Sequence, residues 1–131
     1  MKVLICGDRH WNDFKTIREF IKKLMLENVE LIIIEGGCRG ADAISAYVAR
    51  DWGIGVIEEK ADWFKQGKVA GPIRNQRMLD CYKPDLVVAF HNDIENSKGT
   101  KDMLKRAKEQ SFETRLITSQ GIVDTEPITK H

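Results

Sequence analysis

The sequence predicts an α/β fold: a single Rossmann-like domain with a mainly parallel sheet of about five strands and helices on both faces. Three observations predict it. Short β-branched runs alternate with segments whose apolar residues recur at helical spacing. Apolar runs end in small or polar residues and lead into those segments, as strands do in βα units. The length of 131 residues suits one core and is too short for two.

The elements follow in order. Val3 to Cys6 is a buried first strand that stops at Gly7. Phe14, Ile17, Ile21, Leu24 and Met25 mark one helix face, with Asn12 or Asp13 as its N-cap. Leu31 to Ile34 is the second strand, ending at Gly36-Gly37. Ala41, Ile44, Val48 and Ala49 mark a second helix, closed by Gly53. Ile54 to Ile57 is the third strand. Lys60 to Gly71 reads as a polar connection carrying Trp63, Phe64, Gly67 and Lys68. Pro72 suits the first turn of a helix running through Met78 and Leu79. Leu86 to Phe90 is the fourth strand, and His91 to Lys98 a polar loop. Met103, Leu104 and Ala107 mark a further helix, and Arg115 to Thr118 a weak fifth strand. The domain is expected over residues 1–118, with a loosely held tail over 119–131.

Alternating strands and helices imply right-handed crossovers and a sheet covered on both faces. Such sheets bind ligands at the carboxyl ends of their strands. The loops starting at Gly7, Gly36 and Ser97 all fall on that edge.

Composition narrows the partners. Lys and Arg number 21 against 20 Asp and Glu, a formal charge of +1, which weighs against a broad nucleic-acid surface and leaves room for a local basic groove. The amino-terminal apolar run is too short for a signal peptide or a membrane span. Three cysteines, Cys6, Cys38 and Cys81, form no CxxC pair and read as free thiols in a reducing cytosol. His10, His91 and His131 lack metal-ligand spacing, so neither a structural zinc nor any other metal or cofactor is expected.

Two turns carry the chemistry. Gly36-Gly37-Cys38-Arg39-Gly40-Ala41-Asp42 and Ser97-Lys98-Gly99-Thr100 each open a helix, where free backbone amides and the helix dipole suit a phosphate. Adjacent glycines let backbone approach a ligand. Arg39 adds a fork-shaped cation. Asp42 reads equally as a first-turn carboxylate, Ser97 and Thr100 as N-caps, and Cys38 as a small filler. Gly7-Asp8-Arg9 is neither G-x-G-x-x-G nor part of a P-loop, so NAD-type sites and P-loop NTPases are disfavoured. Arg9 either reaches a phosphate or base, or is solvated. Trp63 stacks on a base or plugs the sheet edge. Arg74 and Asn75 open the helix after Pro72, and Asn75 is poorly explained by helix propensity. Asp102 either accepts ribose hydroxyls or faces water. Together these residues point to a phosphorylated small molecule.

These residues, with Ala61-Asp62-Trp63, Gly67-Lys68, Ala70-Gly71-Pro72-Ile73-Arg74-Asn75, Met78, Phe90 and Gly99-Thr100-Lys101-Asp102-Met103, resemble the SLOG superfamily, and most closely its YspA/cpYpsA-related branch from bacterial and phage genomes. The resemblance spans about residues 1–118. It implies a Rossmann-like domain that binds nucleotides or ADP-ribose-like derivatives, sensing or sequestering a nucleotide signal. The implied contacts are Gly7, Arg9, Gly36, Gly37, Arg39, Gly40, Asp42, Trp63, Arg74, Asn75, Ser97, Gly99 and Thr100. LOG-type phosphoribohydrolases in the superfamily cleave N-glycosidic bonds with an arginine and a glutamate. Arg74-Asn75-Gln76-Arg77-Met78 resembles their arginine helix start, with Asn for Lys. Their glutamate motif is Pro-Gly-Gly-x-Gly-Thr-x-x-Glu. Here the Pro-Gly-Gly is missing and Met103 takes the glutamate position. Asp102 sits one residue early, about 100° around the helix. Methionine cannot stabilise an oxocarbenium-like state, so a binding module is the first reading. A LOG-type hydrolase using Arg74 with Asp102, Asp42 or Glu95 is the alternative. A third class resembles the DprA-type, DNA-processing members. By analogy with LOG-type relatives, a homodimer or larger assembly is expected.

Overall fold

The computed structural model describes residues 1–123. Six strands, β1 (Lys2–Gly7), β2 (Ile32–Glu35), β3 (Gly55–Glu58), β4 (Leu86–Phe90), β5 (Thr114–Thr118) and β6 (Gly121–Val123), form one sheet in the order β3-β2-β1-β4-β5-β6. Every neighbouring pair is parallel except β5 and β6. The helices are α1 (Phe14–Glu27), α2 (Ala41–Asp51), α3 (Trp63–Gln66), α4 (Ala70–Tyr82) and α5 (Gly99–Glu109).

The strands bury both faces, so they read as near-continuous apolar runs, and the two-residue period sorts them between two cores. Val3, Ile5, Ile33, Val88 and Phe90 point toward α1 and α2, where Ile17, Ile21, Ile44 and Val48 meet them. Leu4, Ile34, Val87 and Ala89 point the other way, onto Met78 and Leu79 of α4 and Met103, Leu104 and Ala107 of α5. Asp13, rather than Asn12, caps α1: its carboxylate accepts from the Thr16 amide at 3.1 Å.

Two expectations change. The five parallel strands are joined by a sixth, antiparallel β6, which follows a turn closed by a 3.1 Å bond from Thr118 Oγ1 to Gly121 O. Three residues are too few to carry a period, which is why the sequence does not announce this strand. The remainder of the expected tail, 124–131, with His131, lies outside the described residues. The Lys60–Gly71 connection is not a loop throughout. Asp62 caps α3 by accepting from Lys65 N–H, Gly67–Val69 adds a 3-10 turn, and α4 starts at Ala70, ahead of Pro72.

β1 sends its chain toward β2 and β4 sends its chain toward β5, so the loops part between these two neighbouring strands. That divergence is the switch point of an open α/β sheet, beside which ligands are bound.

Candidate functional site

Two loops touch at this edge. The Asp8 amide donates to Phe90 O at 2.9 Å, and Asp8 O accepts the amides of Trp11 and Ala41 at 3.0 and 3.1 Å. The first loop is thereby tied to β4 and to the start of α2. The second loop enters α2 through Gly40, whose φ of 72° suits glycine. A Cβ there would overlap the backbone of Asp8 and Arg9.

Three amides of the second loop are already engaged. Gly36 and Cys38 N–H donate to Asp42 Oδ2 at 3.1 and 3.2 Å, and Gly37 N–H donates to Glu35 Oε1 at 2.6 Å. The loop thus closes on two carboxylates of its own chain rather than presenting these three amides to an anion. Both carboxylates are buried. Burial is the main cause that pushes the Asp42 carboxyl up to about 6, against the pull of the Cys38 amide, the Arg74 guanidinium and the Gly36 amide. Burial likewise lifts Glu35 to about 7; the Gly37 amide opposes it, while Asp42 and Glu58 add to it. Glu35 Oε2 is enclosed and takes no N–H or hydroxyl donor among the described residues, and a hydrogen bond between the Glu35 and Glu58 carboxyls adds to the upward shift.

Arg74 and Asn75, expected at the ligand, are buried residues that join the two glycine-bearing turns. Arg74 Nη1 donates to Gly36 O at 2.7 Å and to Glu59 O at 3.4 Å, and its Nε donates to Asn75 Oδ1 at 3.1 Å. A Cβ on Gly36 would strike this guanidinium. Asn75 Nδ2 donates to Gly99 O at 3.2 Å and to Asp102 Oδ2 at 3.0 Å. This explains an asparagine inside a helix: it is the amide that reaches α5. Asp102 Oδ2 also accepts from Arg106 Nε at 2.8 Å, so it is held between two helices. Met103, at the position of the LOG-type glutamate, is fully buried in the core.

Ser97 Oγ accepts the Thr100 amide at 3.1 Å, a local cap at the start of α5. Thr100 itself is buried. Glu95 is exposed and paired with Lys101 at 2.9 Å. Trp63 is 57% exposed, with its ring edge over Gly71, and Phe64 is fully exposed. Burial, then Asp42, push the Cys38 thiol up despite the nearby Arg74, so this helix start does not favour a thiolate. Arg9 and Arg39, by contrast, are exposed and make no side-chain hydrogen bond or ion pair among the described residues.

Three contributors escape the sequence reading. Asp8 acts through its backbone, which no side-chain pattern reveals. Glu35 and Glu58 end β2 and β3 and are register partners on the two strands. The available signal was a carboxylate closing each apolar run at the ligand-binding edge. Both line a cleft of about 440 Å³ alongside α2, with Gly37, Ala43 and Ala46. Among the described residues no group of three or more His, Cys, Asp and Glu side chains is placed to hold a metal, and no helix is long and apolar enough to cross a membrane.

The sequence model of the YspA, cpYpsA-related SLOG family matches residues 1–65. The Gene 61 protein of Mycobacterium phage D29 is 34% identical over 113 residues, covering 82% of this chain and 88% of that protein. The chain belongs to this SLOG family. Among solved structures, DNA processing protein A (DprA) from Streptococcus pneumoniae matches 98% of the chain with a TM-score of 0.71 at 18% identity. That likeness shows the shared Rossmann-type fold. The chain spans about half of the DprA chain, 52% of it.

Proposed function

We propose that this SLOG-family protein binds a nucleotide or a nucleotide derivative such as ADP-ribose, sensing or sequestering it, with the phosphate at the edge where the β1 and β2 loops touch. The observation that carries the reading is the pair of exposed arginines, Arg9 and Arg39, on those two loops, which have no side-chain partner among the described residues. The backbone of Gly40 packs on that of Asp8 and Arg9, so both cations belong to one patch of surface beside the switch point. Gly7 and Gly40 let the loops pack backbone to backbone against Phe90, Asp8 and Arg9, Gly36 and Gly37 shape the second loop, and Ser97, Gly99 and Thr100 flank the patch at the start of α5. Arg74, Asn75 and Asp42 shape it from within. Trp63 bounds the base on the β3 side. A homodimer or larger assembly is part of the proposal; light scattering at the mass of one chain contradicts it.

Binding is preferred to hydrolysis because Met103 is a core residue and the Asp102 carboxylate is tied to Asn75 and Arg106. The test is mass spectrometry of small molecules released from the purified protein by denaturation, followed by thermal shift with each. A nucleotide recovered intact, stabilising wild type but not Arg9→Ala/Arg39→Ala, supports the proposal. Free base and ribose phosphate accumulating on its addition, and lost in Asp102→Asn, favour a phosphoribohydrolase instead. The likeness to a DNA processing protein gives a second reading, single-stranded DNA binding. A salt-sensitive shift with an oligonucleotide, and no nucleotide recovered, moves the assignment there.

A further inference from the structure

We infer that His91 anchors a second phosphate subsite on the α5 side of the switch point, together with the Thr100 hydroxyl and the amides of Gly99 and Lys101. The preferred ligand is then a nucleoside diphosphate or a pyrophosphate-bridged derivative rather than a monophosphate. The inference rests on the nucleotide-binding reading and adds to it a residue, a subsite and a selectivity.

His91 follows the last residue of β4, and its amide continues the ladder by donating to Ile117 O at 3.1 Å. Strand alternation therefore puts its side chain on the face of Ala89, which packs with Met103 of α5. Two residues along a strand advance about 6.6 Å, and one helical turn covers about 5.4 Å. His91 thus stands level with Gly99 and Thr100, one turn before Met103. Its Nδ1 accepts the Asp93 amide at 2.9 Å, which leaves the ring proton on Nε2. The residue is only 9% exposed, yet Nε2 is neither enclosed nor partnered among the described residues. Thr100, 7% exposed, is in the same condition: its hydroxyl has no partner among the described residues and is not enclosed.

A helix start alone does not make a site. Here two side chains, each more than nine-tenths buried, bring hydrogen-bond donors to it and spend neither inside the protein. The amides of Gly99 and Lys101 also make no hydrogen bond among the described residues. A cradle of donors at the positive end of a helix dipole suits a phosphoryl group. The carboxylates nearby are turned to their own partners: Asp93 to Asn96, Glu95 to Lys101, and Asp102 to Asn75 and Arg106. Arg9 and Arg39 lie with α2, on the other face of the sheet, because Gly7 abuts Ala41 and Gly40 abuts Arg9. The ends of β1 and β4, hydrogen-bonded neighbours about 4.8 Å apart, separate the two patches. Two linked phosphoryl groups bridge that gap, one to each patch.

The test is calorimetric titration of the full chain with AMP, GMP, CMP and UMP, each beside its diphosphate, and with ADP-ribose, using wild type and His91→Phe. The diphosphate of whichever base binds should bind about 10-fold or more tighter than its monophosphate. His91→Phe should lose that gain while its affinity for the monophosphate stays unchanged, which a merely structural role would not produce. In imidazole-nitrogen NMR of wild type, the His91 Nε2 resonance should move with the diphosphate and not with the monophosphate. This second measurement decides the matter even where His91→Phe fails to fold. Equal binding of mono- and diphosphates by wild type overturns the inference and leaves the nucleotide reading standing. So does a gain that persists in His91→Phe, or an Nε2 resonance unmoved by the diphosphate. No binding by any of these nucleotides overturns both together.

Discussion

The two glycine-bearing turns look alike in sequence, each a cluster of small residues opening a helix, but they are built differently. The turn from Gly36 to Gly40 is a constructed loop. Its amides close on Asp42 and Glu35, Arg74 grips its Gly36 carbonyl, and side chains at positions 36 and 40 would collide with the guanidinium and with the neighbouring loop. The turn from Ser97 to Thr100 is held more lightly: one serine hydroxyl caps the Thr100 amide, the neutral Asn75 amide reaches the Gly99 carbonyl, and there is open space around Gly99. A helix N-terminus is therefore not sufficient evidence of a site. What distinguishes the first turn is that buried charged groups hold its backbone, while two exposed arginines beside it have no side-chain partner among the described residues.

Substitutions that break this contrast should follow its order. Gly40→Ala meets both a left-handed φ and the backbone of Asp8 and Arg9, and should cost about 3–5 kcal/mol in denaturant unfolding. Asp42→Ala removes the acceptor of two amides and leaves the Arg74 charge less compensated, at about 2–4 kcal/mol by the same measurement.

Glu35→Gln should act in the opposite direction and depend on pH. The folded Glu35 keeps its proton up to about 7, against an ordinary value of 4.5. Between those values the folded state binds more protons than the unfolded chain, so stability is full below the lower value and is lost as pH rises through the upper one. Asp42, lifted to about 6, contributes with the same sign. Melting curves should therefore show Glu35→Gln more stable than wild type by about 1–3 kcal/mol near pH 8 and nearly equal to it near pH 5. A variant less stable than wild type at both pH values would mean that the carboxylate is needed in its charged form. Gly99→Ala should be the smallest change, within about 0.5 kcal/mol of neutral or stabilising by up to about 1 kcal/mol. A larger loss there would show the second turn to be as constrained as the first.

The strands were legible because burial on both faces leaves unbroken β-branched runs, as in Leu31 to Ile34, and the helices because their apolar stripes recur around the turn. β6 was not legible, since Gly121–Val123 gains its order from pairing with β5. The site was legible as a region and less so in its roles. Arg74 and Asn75 were recognisable as unusual, but their partners, Gly36 O and Gly99 O, are distant backbone atoms that no local pattern discloses. Glu35 is not legible in the sequence, because a single carboxylate ending a strand looks solvated until β3 and α2 enclose it.

The most direct test of the central claim is backbone-amide NMR of the wild-type protein during titration with ADP-ribose and with the ribonucleoside monophosphates. Perturbations should saturate and centre on Arg9, Gly37 to Ala43 and Lys98 to Thr100, while the outer faces of α1 and α5 stay unmoved. Saturating perturbations confined to surfaces away from these loops, or none with any of these ligands, would contradict it.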